Sequence, residues 1–147
     1  ANGHNGYLNA MQISAYAKHL TYEDWALGHP GLGVWHADDD GDGLANLAEF
    51  GCGGNPTNPA DTGYPITFTL GQENGTSMLT FAYARRTADS GLGYHLEHST
   101  NLLAGSWVDT SYSETTATGA LNASFESVTN RLPADHPGRF IRIVVEE

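Results

Sequence analysis

Residues 66 to 83 carry the chain's sharpest alternation of apolar and polar positions. Ile66, Phe68 and Leu70 alternate with Thr67, Thr69 and Gly71, and after Asn74-Gly75 the pattern resumes at Leu79, Phe81 and Tyr83. A period of two predicts half-buried strands. Asn-Gly is the preferred pair for a two-residue type I′ turn, because both positions need positive φ. Folding there sets Glu73 against Thr76, Leu70 against Leu79, Phe68 against Phe81 and Ile66 against Tyr83. The large apolar pairs share one face, while Thr67, Thr69 and Gly71 meet Ala82, Thr80 and Met78 on the other. A slip of one residue would mix the faces, so the register is specified.

Weaker strand patterns follow. Tyr94, Leu96 and His98 alternate with His95 and Glu97, Trp107-Val108 starts a short strand, and residues 121–129 carry Phe125 and Val128. Residues 140–145 form an apolar run broken by Arg142, as expected of a terminal strand buried on one side. Gly91, Gly93, Gly105, Gly119, Pro133, Pro137 and Gly138 punctuate these segments. The expected fold is mainly β, an antiparallel β-sandwich over residues 66–147.

A short helical region precedes it. Residues 1–30 read as an N-terminal connector segment. Within it Leu8, Met11, Ala15 and Tyr16 fit helical spacing, and Met11, Ile13, Ala15 and Ala17 fit a strand equally well. Thr21 followed by Asp24 resembles an N-cap, and Gly28 a stop, which predicts one short helix bearing Trp25 and Leu27. Residues 31–65 hold an acidic loop, an exiting helix with the apolar positions Leu44, Leu47, Ala48 and Phe50 stopped by Gly51, and a Pro/Gly linker.

The acidic loop runs from Asp38 to Glu49 and fits D-x-D-x-D-G-x5-E in full. Calcium is a hard cation that takes six to eight oxygens. Asp38, Asp40 and Asp42 occupy loop positions whose carboxylates can converge. Gly43 permits the sharp turn. Leu44 would ligate through its backbone carbonyl, Asn46 directly or through water, and Glu49 through both carboxylate oxygens. Asp39 is expected to face outward as a non-ligand. Four carboxylates this close repel one another without a cation. The expected cofactor is therefore Ca2+, held by Asp38, Asp40, Asp42, Leu44, Asn46 and Glu49. Magnesium fits less well, since it keeps its waters and an octahedral shell. No second such loop occurs, which argues against a paired calcium switch and for a structural clamp.

Composition narrows the partners. The net charge is −11, from 17 acidic and 6 basic residues in 147, and Lys18 is the single lysine. With no basic stripe, nucleic acid and anionic membranes are poor partners. No apolar run is long enough for membrane insertion. One cysteine, Cys52, excludes an intrachain disulfide and reads as a small buried residue between glycines. The start lacks an initiator Met, as in a processed mature chain or an excised fragment. The histidines are scattered, and Glu97, Glu114 and Glu126 have no catalytic mate. No enzyme activity is expected.

The stretch from Trp25 through Pro59 carries a Trp, a glycine-rich loop, the Asp38–Glu49 motif, Phe50, and then Gly53-Gly54-Asn55-Pro56-Thr57. It resembles a segment near the C-termini of secreted proteins of planctomycete-type and verrucomicrobial-type bacteria, and its loop resembles bacterial thrombospondin-type-3 repeats and EF-hands. Tyr94 to Leu102 with Trp107 is similar to the β-sandwich that follows in those proteins. The resemblance implies an extracellular or cell-surface, calcium-bound, non-catalytic module. The expected function is a structural subunit of a homo-oligomer, helical filament or surface layer, joined through residues 1–20. The alternative is a carbohydrate- or cell-wall-binding accessory module of a secreted protein, for which Trp107, Tyr112, Tyr83 and Tyr94 are candidate stacking residues, although core packing is the expected role of most of them.

Overall fold

The computed structural model describes residues 20–87, 90–103, 105–109, 113–134 and 140–147. Two short helices come first, α1 (Tyr22–Ala26) and α2 (Asn46–Cys52). Seven strands follow: β1 (Thr67–Glu73), β2 (Thr76–Arg86), β3 (Gly93–Ser99), β4 (Val108–Asp109), β5 (Ser113–Ala120), β6 (Phe125–Pro133) and β7 (Phe140–Glu146). They form two antiparallel sheets, ordered β1-β2-β6-β5 and β4-β3-β7. The protein is mainly β, as the alternation predicts.

The hairpin register agrees with the sequence pair by pair, from Glu73–Thr76 through Leu70–Leu79 and Phe68–Phe81 to Thr67–Ala82. Asn74 and Gly75 both have positive φ, 51° and 82°, the backbone that a type I′ turn requires. Ile66 and Tyr83 lie just past the end of that ladder. The two sheets meet at Phe81, Tyr83, Val128 and Leu132 from one side and Leu96 from the other, with Ile141 and Ile143 packed against them. In β7 the isoleucines turn inward while Arg142 stays outside and pairs with Glu97 at 2.6 Å.

Three elements depart from the sequence reading. β5 was not anticipated. Its sequence, Ser-Glu-Thr-Thr-Ala-Thr-Gly-Ala, has no large apolar residue for a periodicity to register, and only its threonines favour a strand. β6 begins four residues later than expected and runs to Pro133. Residues 121–124 instead form a turn in which the Leu121 and Asn122 amides both donate to the Phe125 carbonyl, and Asn122 Oδ1 accepts from the Ser124 and Phe125 amides. α2 does not stop at Gly51 but ends in left-handed Gly53, and Leu44 lies ahead of it in the loop.

The segment from 31 to 65 is fastened to the sandwich rather than strung between units. α1 and α2 close a second apolar cluster of Tyr22, Leu47 and Phe50, against which Trp25, Leu92 and Val145 pack. Thr21 caps α1 by accepting from the Asp24 amide, as the sequence predicts, whereas Leu27 is an exposed cap residue. Pro56 is fully buried. The Tyr64 ring packs on Phe125 at 5.4 Å between centroids, and its amide donates to the Cys52 carbonyl.

Candidate metal centre

The acid loop is closed at its neck before any side chain is considered. The Asn46 amide donates to the Ala37 carbonyl at 2.7 Å, and the Leu47 amide to the Trp35 carbonyl at 2.9 Å. The chain thus enters and leaves the loop side by side, and α2, which carries Glu49, starts at this neck. Gly43 sits at φ 96°, a conformation that side-chain-bearing residues rarely adopt.

Each aspartate braces the loop through backbone amides. Asp38 Oδ1 accepts from the Gly41 amide and Oδ2 from the Gly43 amide. Asp40 Oδ1 accepts from the Asp42 amide, and Asp42 Oδ1 from the Leu44 amide. Asp40 and Asp42 thereby spend one oxygen each on the loop. Their second oxygens are buried without a hydrogen-bond partner. Carboxylate oxygens of Asp38, Asp40 and Asp42 lie within 4.8 Å of one another, close enough to share a metal ion.

Glu49 is the most telling residue. It is fully buried, and neither of its oxygens has a hydrogen-bond partner. Burial pushes its carboxyl up to about 7, helped by the charges of Asp40, Asp42, Asp38 and Asp61 in that order. A buried carboxylate without donors is costly unless a charge compensates it. Asp61 adds to this field from the linker, where its backbone carbonyl accepts from the Asn55 amide.

Asn46 is also fully buried. Its Nδ2 donates to the Val34 carbonyl and to Asp39 Oδ2, both at 3.1 Å, and its Oδ1 is left without a partner. Asp39 does face solvent, as expected, but it is not idle: Oδ2 also accepts from the Gly33 amide. This strap from Gly33 through Asp39 to Asn46 was not visible in the sequence, because nothing local marks Gly33 as its partner. Leu44 is half-buried, and its amide donates within the loop.

A second feature missed in the sequence anchors the helix that carries Glu49. The Arg86 guanidinium, from β2, donates through Nε to the Phe50 carbonyl at 2.6 Å. It also lies over the rings of Phe50 and Phe125, 4.1 and 4.6 Å from their centroids. The Tyr94 hydroxyl, from β3, donates to the Gly51 carbonyl and accepts from the Arg86 amide. A cation beside the terminal carbonyls of a helix is favourable. Both sheets therefore hold α2 by its end, and through it Glu49. Burial lowers the Arg86 pKa and raises that of Tyr94. Cys52, next on the helix, is half-buried and its thiol is pushed up to about 11 by burial.

The aromatics considered as a sugar platform are largely spent elsewhere. Tyr83 is in the core, the Tyr94 hydroxyl binds backbone, and the Arg142 guanidinium covers the Trp107 ring at 4.4 Å. Tyr112 lies outside the described residues. His95 approaches Glu97, Asp109 and Glu146 at 3.6 to 3.8 Å, yet Glu97 already pairs with Arg142 and Asp109 is well exposed. No helix among the described residues is long and apolar enough to cross a membrane. In comparisons with known proteins, the chain matches no family model, no curated protein and no solved structure.

Proposed function

We propose that this chain is a non-catalytic, calcium-stabilised structural protein, working outside the cell or at its surface, that assembles with copies of itself through residues 1–20. The observation that carries the calcium part is the buried Glu49 carboxylate, both oxygens unpartnered, in the field of Asp40, Asp42 and Asp38, where Asp40 and Asp42 also keep a buried unpartnered oxygen each. Orphaned buried carboxylates are rare without an ion to satisfy them. The donor set is all oxygen, which suits a hard cation. Asp38, Asp40, Asp42 and Glu49 would hold it, joined by the Leu44 carbonyl and Asn46 Oδ1. The cation would supply the positive charge that lets four acids share one loop.

A clamp fits better than a switch. α2 is tied to the sandwich by Arg86 and Tyr94, so a bound ion would stiffen the joint between loop and sheets rather than open a groove. Extracellular calcium modules work at weak affinity, about 0.1–1 mM, which an exposed Asp38 and a single loop would serve. Residues 1–19 lie outside the described residues, and assembly through them rests on their sequence.

Electron microscopy of the purified chain, with calcium and again after chelation, tests the reading. Filaments or sheets that disperse on chelation are expected. Isolated monomers in both conditions would move the assignment to a glycan-binding module. A melting temperature indifferent to chelator would remove the clamp.

A further inference from the structure

The sandwich is uneven. Four strands on one side face three on the other, and β1, at the outer edge of the larger sheet, has no described strand opposite it. Every residue of β1 is exposed. Phe68 and Leu70 are 70% and 74% accessible, although their cross-strand mates Phe81 and Leu79 pack in or against the core. Beside them β7 pairs with β3 alone, so one edge of its backbone has no partner strand among the described residues. Between β1 and β7 runs an open trough of about 640 Å³, lined by Ile66, Phe68, Leu70, Ile141 and Ile143, with Leu44 and the one charged residue, Arg142, also on its wall.

A trough with an apolar floor and an open strand edge fits one kind of occupant: an extended segment with alternating apolar residues. Its backbone would continue the β7 ladder and its apolar side would cover β1. Residues 11–17, Met-Gln-Ile-Ser-Ala-Tyr-Ala, have that pattern, with Met11, Ile13, Ala15 and Ala17 on one side. They carry no charge and match the seven-residue length of β7. The chain's single lysine follows at Lys18, against a molecule of net charge −11.

Direction decides whose segment it is. Val145, at the C-terminal end of β7, packs against the cluster that Tyr22 of α1 forms with Leu47 and Phe50 of α2, and Thr21 caps α1 only three residues after Lys18. A chain's own residues 11–17 could therefore enter its own trough only by running parallel to β7. Every ladder among the described residues is antiparallel, and antiparallel pairing is the more stable per residue. A segment from another copy is free to enter from the opposite end.

We propose that residues 11–17 of a second copy of this chain lie in the trough between β1 and β7, as an added strand antiparallel to β7. This rests on the assembly reading above and names its acceptor. The contact joins two different surfaces, so it need not close on itself and can propagate into a filament.

Two full-length variants test it, Ile13→Asp in the donated segment and Phe68→Asp in the trough. Leu70→Asp serves as a second trough variant, and melting curves confirm that each is folded. By analytical ultracentrifugation, the unaltered chain is expected to form long assemblies and each variant alone to stay monomeric. An equal mixture of Ile13→Asp and Phe68→Asp is expected to form dimers and nothing longer, because one intact segment then meets one intact trough. Trough variants that polymerise like the unaltered chain overturn the acceptor but leave assembly standing. Two monomeric variants whose mixture gives no dimer also overturn it. An unaltered chain that is monomeric at every concentration removes the assembly reading itself.

Discussion

In the acid loop the unsatisfied groups are carboxylate oxygens gathered within a few ångströms; along β1 they are apolar side chains spread over a whole strand. The first is a deficit of charge, which one small ion can meet from solution. The second is a deficit of surface, which only another stretch of polypeptide can meet. The loop is also held from several directions, by Asp39, by the neck hydrogen bonds and by Arg86 and Tyr94 at the helix end. β1 pairs with its hairpin partner alone, and beyond that ladder Glu73 at its end is joined to Arg131 of β6 by an exposed ion pair. A polar site must be built before its ion arrives, because misplaced carboxylates repel. An apolar face needs only to be left uncovered.

The largest effect that would separate the two regions is expected from Arg86→Met. It removes the bond to the Phe50 carbonyl and leaves that acceptor buried, a cost of about 1–3 kcal/mol. With the lost ring contacts, at about 0.5–2 kcal/mol, the total is about 3 kcal/mol, or roughly 6–12 °C in melting temperature for a domain of this size. Calorimetry should show calcium affinity falling as well, since Glu49 loses its support, while β1 is untouched. Unchanged calcium affinity would mean that the sandwich does not position the loop.

Asp40→Ala with Glu49→Ala should abolish calcium binding. The stabilisation lost is about 2.7 kcal/mol where free calcium stands a hundredfold above its dissociation constant. In chelator the order should reverse, with the double variant melting above the parent because the crowded charges are gone. Parent and variant melting alike in both buffers would contradict the electrostatic account.

The pH dependence follows from Glu49. Its folded pKa, about 7, stands above its ordinary 4.5, so in chelator the folded state holds the proton more tightly than the unfolded chain. That stability is fully present below about pH 4.5 and is lost as pH rises through 7. The melting temperature of the chelated protein should fall across that window and level off above it. Saturating calcium should flatten the fall. A chelated protein that grows more stable from pH 5 to 7.5 would show that Glu49 is not the dominant titrating group.

The smallest effect on stability belongs to Leu70→Asp, within about 0.5 kcal/mol, as for exposed positions generally. Its expected effect on assembly is total. That contrast, nothing in melting and everything in sedimentation, is the sharpest separation of the two regions.

What the sequence made legible was local. The Asn74-Gly75 hairpin declares its own register because turn and alternation lie within one short window. The Asp38–Glu49 motif declares its cluster of acids for the same reason, and Asp38, Asp40 and Asp42 do converge. Arg86 on Phe50, Tyr94 on Gly51 and Asp39 on Gly33 were not legible, since each joins positions that only the tertiary fold brings together. β5 was missed because small polar residues leave no periodic trace. The exposure of Phe68 and Leu70 was missed for a subtler reason. Alternation tells which residues share a face, not whether anything stands opposite that face.

The β2–β6 ladder joins Met78 to Pro133 and Arg86 to Phe125, and this long reach sets an order of events at the protein's birth. The β1–β2 hairpin can close by itself in about 1–10 μs. β6 must wait until most of the chain exists and a long loop has closed, which makes it a late arrival. Pulse-labelled hydrogen exchange should accordingly find the hairpin amides protected before those of β6. In that interval both hairpin strands bare the same greasy side, and a newborn molecule is stickier than a finished one. Once β6 has paired with β2 and the β3–β7 sheet has closed over their inner face, the hairpin's remaining adhesive is confined to a single strand.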